Sequence, residues 1–263
     1  MHLEFHVSDE LKQEFVKLLN EAHTEQVYQS FLEKHTQFIP REFVQNHGIH
    51  FDLVFRKLHL ASDYAPDFFY MSKSSADWNL VLIEIEKPQS KYFKDGTNDL
   101  HPDFVLAFNQ ILQWRAWFEN HSNYIGFING TLGSIREPMG YNSCHVKYVL
   151  VHGRRDEFAE NAVKRNKIKA MEQHDVKILS YDSLLEALNR KHPLYVCARK
   201  NEWVDFLSTK YVSDEVFSYF GPSMIRINDD LRKDIIENKP NWRINSLRGG
   251  MELDHVLDKL GRC

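Results

Sequence analysis

Apolar residues recur at helical spacing near the N-terminus and alternate further along, and that change of period organises the chain. Ser8 and Asp9 open a stretch in which Leu11, Phe15, Leu18, Leu19 and Ala22 share one face, the pattern of an amphipathic helix. Thr24 is the expected cap of a second helix that buries Val27, Tyr28, Phe31 and Leu32. Pro40 and Gly48 punctuate the next segment. Strands are expected at 67–71 and 79–86, separated by turn residues 72–77 and ended by Pro88. A helix is expected at 102–119, with Phe104, Ala107, Ile111 and Trp114 on one side. Further strands are expected at 124–129, 146–152 and 176–180, with a polar helix over 156–173 between the last two. Asp182 is the expected cap of a short helix running through residue 188, and 194–197 is the expected final strand.

Strands interleaved with helices give an α/β fold, a mixed central sheet flanked by helices. After residue 200 the pattern breaks into short amphipathic pieces at 203–206, 216–220, 231–236 and 251–260. The expected organisation is an N-terminal helix (1–23), a core domain (24–198) and a C-terminal extension (199–263) serving assembly or regulation.

Composition narrows the function classes. Across 263 residues the net charge is −4, which excludes a protein that grips nucleic acid through bulk basicity but permits a local basic strip. A hydrophobic fraction of 43% is enough for a sizeable core. The three cysteines, Cys144, Cys197 and Cys263, show no CxxC spacing and read as reduced thiols. Residues 1–7 lack the basic-then-apolar pattern of a signal peptide, and no run approaches the length of a membrane helix. The expectation is a soluble, cytoplasmic protein with no membrane partner.

The residues that carry chemistry lie in the second strand. Alternation sends Val81, Ile83 and Ile85 to one face and Leu82, Glu84 and Glu86 to the other. Two carboxylates on one face at the end of an apolar strand repel each other, and a divalent cation relieves that repulsion. Mg²⁺ suits such a site because it binds through a few carboxylates and keeps several waters; Mn²⁺ can substitute. Asp67, directly after Pro66, reaches the same end if the pairing is antiparallel. The opposing reading places Glu84 and Glu86 in solvent on an edge strand.

The segments SDYAPDFFYMSK, NLVLIEIEKP and LAFNQILQW, taken with FLEKH at 31–35, VHGRR at 151–155 and YDSLLEAL at 181–188, resemble the Shedu family of bacterial anti-phage nucleases. That family belongs to the wider PD-(D/E)xK group, and the resemblance spans residues 24–190 in order. It implies a restriction-endonuclease-like core in which Asp67 and Glu84 are the main metal ligands, aided by the backbone carbonyl of Ile85. The wider group usually has lysine where this chain has Glu86, and a carboxylate cannot supply that charge. Three solutions stay open: Glu86 is a third ligand or general base, a lysine arrives from elsewhere (Lys91 being one candidate), or activity is lost. Lys87 is adjacent but alternation sends it to the opposite face unless a bulge intervenes. The resemblance also implies roles for Gln110 on the following helix and for a helix-borne glutamate, Glu25 or its competitor Glu33.

Paired Arg154 and Arg155 at a strand end are candidates for holding phosphates, and Lys164, Arg165, Lys167 and Lys169 form a candidate backbone-binding face. Both sets can equally be solvated surface. The fourteen histidines show no HExxH spacing, and only His101 lies near the proposed site. No phosphate-binding glycine loop is present. The implied function is a Mg²⁺-dependent DNA endonuclease acting in anti-phage defence as a homo-oligomer. The rivals are a catalytically inactive nuclease-fold module that binds or senses nucleic acid, and a structural protein whose carboxylates never meet metal.

Overall fold

The structure, a computed structural model, describes residues 7–133, 135–136, 139–188, 193–200, 203–207, 216, 222–237 and 257–262. Residues 1–6, 217–220 and 251–256 and Cys263, which enter the readings above, lie outside the described residues. The fold is a mixed sheet flanked by helices. Among the described residues nine strands hydrogen-bond in the order β5-β4-β3-β2-β1-β6-β7-β8-β9. The chain forms two compact units: residues 1–43, 80–119 and 146–193 make one, and 44–79, 120–145 and 194–263 make the other.

The first unit begins with helices α1 (Asp9–Asn20) and α2 (Glu25–Lys34). Ser8 caps α1, its side chain accepting a hydrogen bond from the Leu11 N–H at 3.2 Å. Phe15 and Leu19 are the residues that α1 buries, and Phe15 stacks on Phe31 and packs at a tilt against Phe38. Most of β3 (Asp77–Ile85) belongs here, as do most of β4 (Ser143–Val151), β5 (Val176–Leu179), α5 (Ala162–Met171) and α6 (Tyr181–Glu186). β4 and β5 run parallel, with Tyr148 opposite Val176 and Val151 opposite Leu179. Helix α3 spans Pro102–Glu119, and its expected apolar positions Phe104, Ala107, Ile111 and Trp114 are all buried. Proline suits the first turn of α3, where a backbone N–H would have no helical partner.

The second unit holds β1 (Leu53–Arg56), β2 (Phe68–Lys73), β6 (Tyr195–Lys200), β7 (Trp203–Phe206), β8 (Ile225–Ile227) and β9 (Gly261–Arg262), with helices α4 (His121–Gly126) and α7 (Asp229–Glu237). β1 pairs antiparallel with β2 and parallel with β6; β6 pairs antiparallel with β7, and β7 parallel with β8. Asp205 of β7 is buried and takes a two-pronged ion pair from Arg226 of β8, at 2.6 and 2.9 Å.

Four expectations are corrected. Residues 124–129 are not a strand. Asn120 caps α4 by accepting from the Ser122 and Asn123 N–H groups, and a π-helical turn (Phe127–Thr131) follows. The buried residues are the adjacent pair Phe127 and Ile128, which is not strand alternation. The helix expected over 156–173 begins only at Ala162, because the Asn161 side chain caps it through the Lys164 N–H. Ser180, not Asp182, occupies the cap position of α6. The strand expected to be final, β6, is followed among the described residues by β7, β8 and β9. Among the described residues no helix is long and apolar enough to cross a membrane.

Candidate active site

Asp67 stands where β2 begins, and the register of the β1–β2 pair decides what it meets. Phe55 lies opposite Phe69 and Arg56 opposite Phe68, so the next step sets Lys57 opposite Asp67. The Lys57 N–H donates to the Asp67 carbonyl at 3.1 Å, and the Lys57 ammonium donates to Asp67 Oδ1. The Asp67 side chain is 0% exposed, whereas that of Lys57 is 43% exposed. A carboxylate sealed from water is tolerated only when paired, and Lys57 provides that pairing.

Glu84 is carried by β3, a strand whose residues from Trp78 to Ile85 are buried on both faces. It is 8% exposed, which removes the reading of a solvent-facing edge residue. Gln110 of α3 donates from Nε2 to Glu84 Oε1 at 2.5 Å. The helix explains the aim: Gln110 flanks the buried stripe of Ala107, Ile111 and Trp114, so its amide turns toward the sheet. The resemblance implies a role for both residues, and this hydrogen bond joins their side chains.

Glu86 sits just past β3, half-buried, its N–H donating to the Val151 carbonyl at 2.8 Å and its carbonyl accepting the Tyr181 hydroxyl. Lys87 is exposed. Lys91, the lysine considered as a replacement, is bound to Asp95 at 2.7 Å in the following loop, and that partner raises its pKa. Glu25 is half-buried in the first turn of α2, and Glu33 accepts from Gln29 at 3.3 Å. Among the described residues, no group of three or more His, Cys, Asp and Glu side chains is arranged to hold a metal ion.

The arginines at the end of β4 are engaged within the protein. Arg154 donates to Asp182 at 2.9 Å and to Asn20 at 3.2 Å; Arg155 grips both Glu186 oxygens at 2.6 Å. Burial pushes the Asp182 carboxyl up, but the Arg154 hydrogen bond and the Arg155 N–H outweigh it and leave it below the ordinary range. In the basic helix, Lys164 lies 4.8 Å above the Phe93 ring and Lys167 donates to the Asn98 carbonyl at 2.9 Å, while Lys169 is exposed. His101 faces Asp103 at 3.3 Å. His152 is fully buried beside Tyr92 and Phe104, and burial lowers its pKa to about 4. Its Nε2–H donates to the Lys91 carbonyl at 3.2 Å, so the ring is a neutral core group.

Lys57 is the residue that sequence reasoning missed. It lies ten residues before Asp67 and outside every motif, and only the strand register could have found it.

A mixed sheet flanked by helices is consistent with a nuclease-like α/β core. The family model described as "Shedu protein SduA, C-terminal" matches residues 22–185, and the chain belongs to that family. Membership points to anti-phage defence. No curated protein matches the chain.

Proposed function

We propose that the protein is a metal-dependent DNA endonuclease of anti-phage defence, acting in the cytoplasm as a homo-oligomer, with Asp67 and Glu84 as the ligands of Mg²⁺ or Mn²⁺. The observation that carries this reading is the burial of both acids, 0% exposed at Asp67 and 8% at Glu84, in a chain of this family. Buried carboxylates with named hydrogen-bonding supports suit a cation that needs only one or two carboxylates and keeps its remaining waters. The proposal therefore needs no three-carboxylate cluster. Bound Mg²⁺ supplies Lewis-acid polarisation of a phosphodiester.

The chain's own residues do the rest. Gln110 fixes the Glu84 carboxylate, leaving the orientation of Oε1 set by α3 and not by solvent. Glu86, half-buried with its backbone bonded on both sides, is the general-base candidate at the point where the wider group has lysine. That substitution also favours the second reading, a nuclease fold that binds or senses nucleic acid without cutting it.

Cleavage separates the two. With Mg²⁺ or Mn²⁺, the purified chain nicks or cuts plasmid DNA, and Glu84→Ala does not. Equal trace activity in wild type and Glu84→Ala across supercoiled, linear and single-stranded DNA contradicts the endonuclease and leaves the binding module.

A further inference from the structure

Helix α3 buries one face in the core and leaves the other free of charge. We propose that this outer face is an interface between two copies of the chain, packed antiparallel about a two-fold axis at Asn109. The inference rests on the homo-oligomer of the reading above and gives it a surface.

Between its end residues, α3 exposes Val105, Leu106, Asn109, Leu112, Gln113 and Ala116. At 3.6 residues per turn these positions fall on a single stripe, about 120° wide. No charged residue occurs between Asp103 and Arg115. Within the stripe Leu106 is 69% exposed, Leu112 39% and Val105 38%. A helix face that stays in water carries charge, as α1 does with Glu10, Glu14 and Lys17 on its exposed side. Three aliphatic side chains on a charge-free stripe instead mark a surface that assembly covers.

The order of the residues says what covers it. In an antiparallel two-fold pair, positions equally far on either side of the axis face one another. An axis at Asn109 sets Leu106 against Leu112 of the partner subunit, and Leu112 against Leu106 of the partner subunit. Asn109 meets Asn109 of the partner subunit, and an amide both donates and accepts, so the two satisfy each other. At the ends, Asp103 meets the opposite charge of Arg115 of the partner subunit. The Asp103 and Arg115 side chains are 48% and 30% exposed, so both can reach across while keeping His101 and Asp175 on their own chain. A different protein would require no such palindrome of apolar, amide and charged positions. Antiparallel packing also sets each helix N-terminus beside the other's C-terminus, the favourable arrangement of their dipoles. Asn109 adjoins Gln110, so the helix that meets the partner is the one that orients Glu84.

The test measures self-association of the full-length chain by sedimentation equilibrium, with thermal unfolding as the check that each variant is folded. Wild type is expected to form dimers or a multiple of them. Leu106→Glu and Leu112→Lys should each weaken association about 100-fold or more, because the axis repeats the loss on both sides. The double variant Leu106→Glu/Leu112→Lys should recover about tenfold or more over either single variant, since each glutamate then faces a lysine across the axis. Leu106→Glu/Leu112→Glu should recover nothing. If a charged variant fails to fold, Leu106→Ser decides, and wild-type association in that variant overturns the proposal. A wild type that stays monomeric across the concentration range overturns it as well. Association of folded Leu106→Glu within about threefold of wild type also overturns it, and leaves the face to a different protein. A Glu/Lys double variant no better than the single ones overturns the antiparallel pairing. Mg²⁺-dependent plasmid cleavage is read separately: an assembled wild type that cuts no DNA overturns the endonuclease reading and leaves the interface standing.

Discussion

Two charged clusters stand at strand ends, and they differ in how far water reaches their acids. Beyond β4, Arg154 and Arg155 meet Asp182 and Glu186 through paired guanidinium–carboxylate contacts, and the Arg155 and Glu186 side chains are 39% and 61% exposed. Every cation there faces an acid across water-accessible surface. Beyond β1, Lys57 faces Asp67, an acid whose side chain is 0% exposed. The first cluster ties α6 and α1 to the end of β4 and has little reason to release its partners for a ligand. The second pairs a buried carboxylate with an exposed cation. The lesson is that a motif of charged residues says less about function than the burial of its members does.

The difference can be broken by substitution. Lys57→Met removes the partner of a fully buried carboxylate and should cost about 3 kcal/mol of stability, the lower end of the range for a broken buried pair because the lysine is itself partly exposed. Urea unfolding at neutral pH checks it. A loss as small as that of a surface pair would erase the contrast.

His152 tests whether the end of β4 is structural down to its core. Burial lowers its folded pKa from 6.5 to about 4, so the unfolded chain takes up the proton first as the pH falls. Stability from this group is complete above pH 6.5 and drains away as pH drops toward about 4. The loss across that window should be roughly 2–3 kcal/mol. His152→Phe should flatten the pH profile of the urea midpoint in this range, and an unchanged slope would remove His152 as its cause.

Gln110→Leu should cost about 1.5 kcal/mol, since it withdraws a hydrogen bond from a nearly buried acid without leaving a large cavity. The more telling readout is cleavage, which should fall while the chain stays folded. Smallest of all, Arg155→Ala should change stability by no more than about 0.5 kcal/mol, because the pair with Glu186 is exposed and screened. That small effect should shrink further in 1 M salt.

Periodicity made the scaffold legible. The bounds of α3 are those the apolar spacing predicts, and β2 and β3 fall within two residues of their expected places. The pattern failed where a local side chain overrode composition. Tyr124, Ile125 and Phe127 have strand-like side chains, yet the Asn120 cap commits the segment to a helix. In the candidate site, Glu84 stood out as a carboxylate near the end of an apolar strand and Gln110 only through the family resemblance; a hydrogen bond joins the two side chains. Lys57 did not stand out, because its position depends on a cross-strand register and a left-handed backbone that no periodicity encodes.

The central claim is that Asp67 serves a metal. Titration of Mn²⁺ into the full chain and into Asp67→Asn tests it most directly, because asparagine keeps the shape and removes the charge. The account predicts saturable binding by wild type and a loss of about 100-fold or more in a variant that unfolding measurements show to be folded. Equal Mn²⁺ affinity in the two proteins would contradict it.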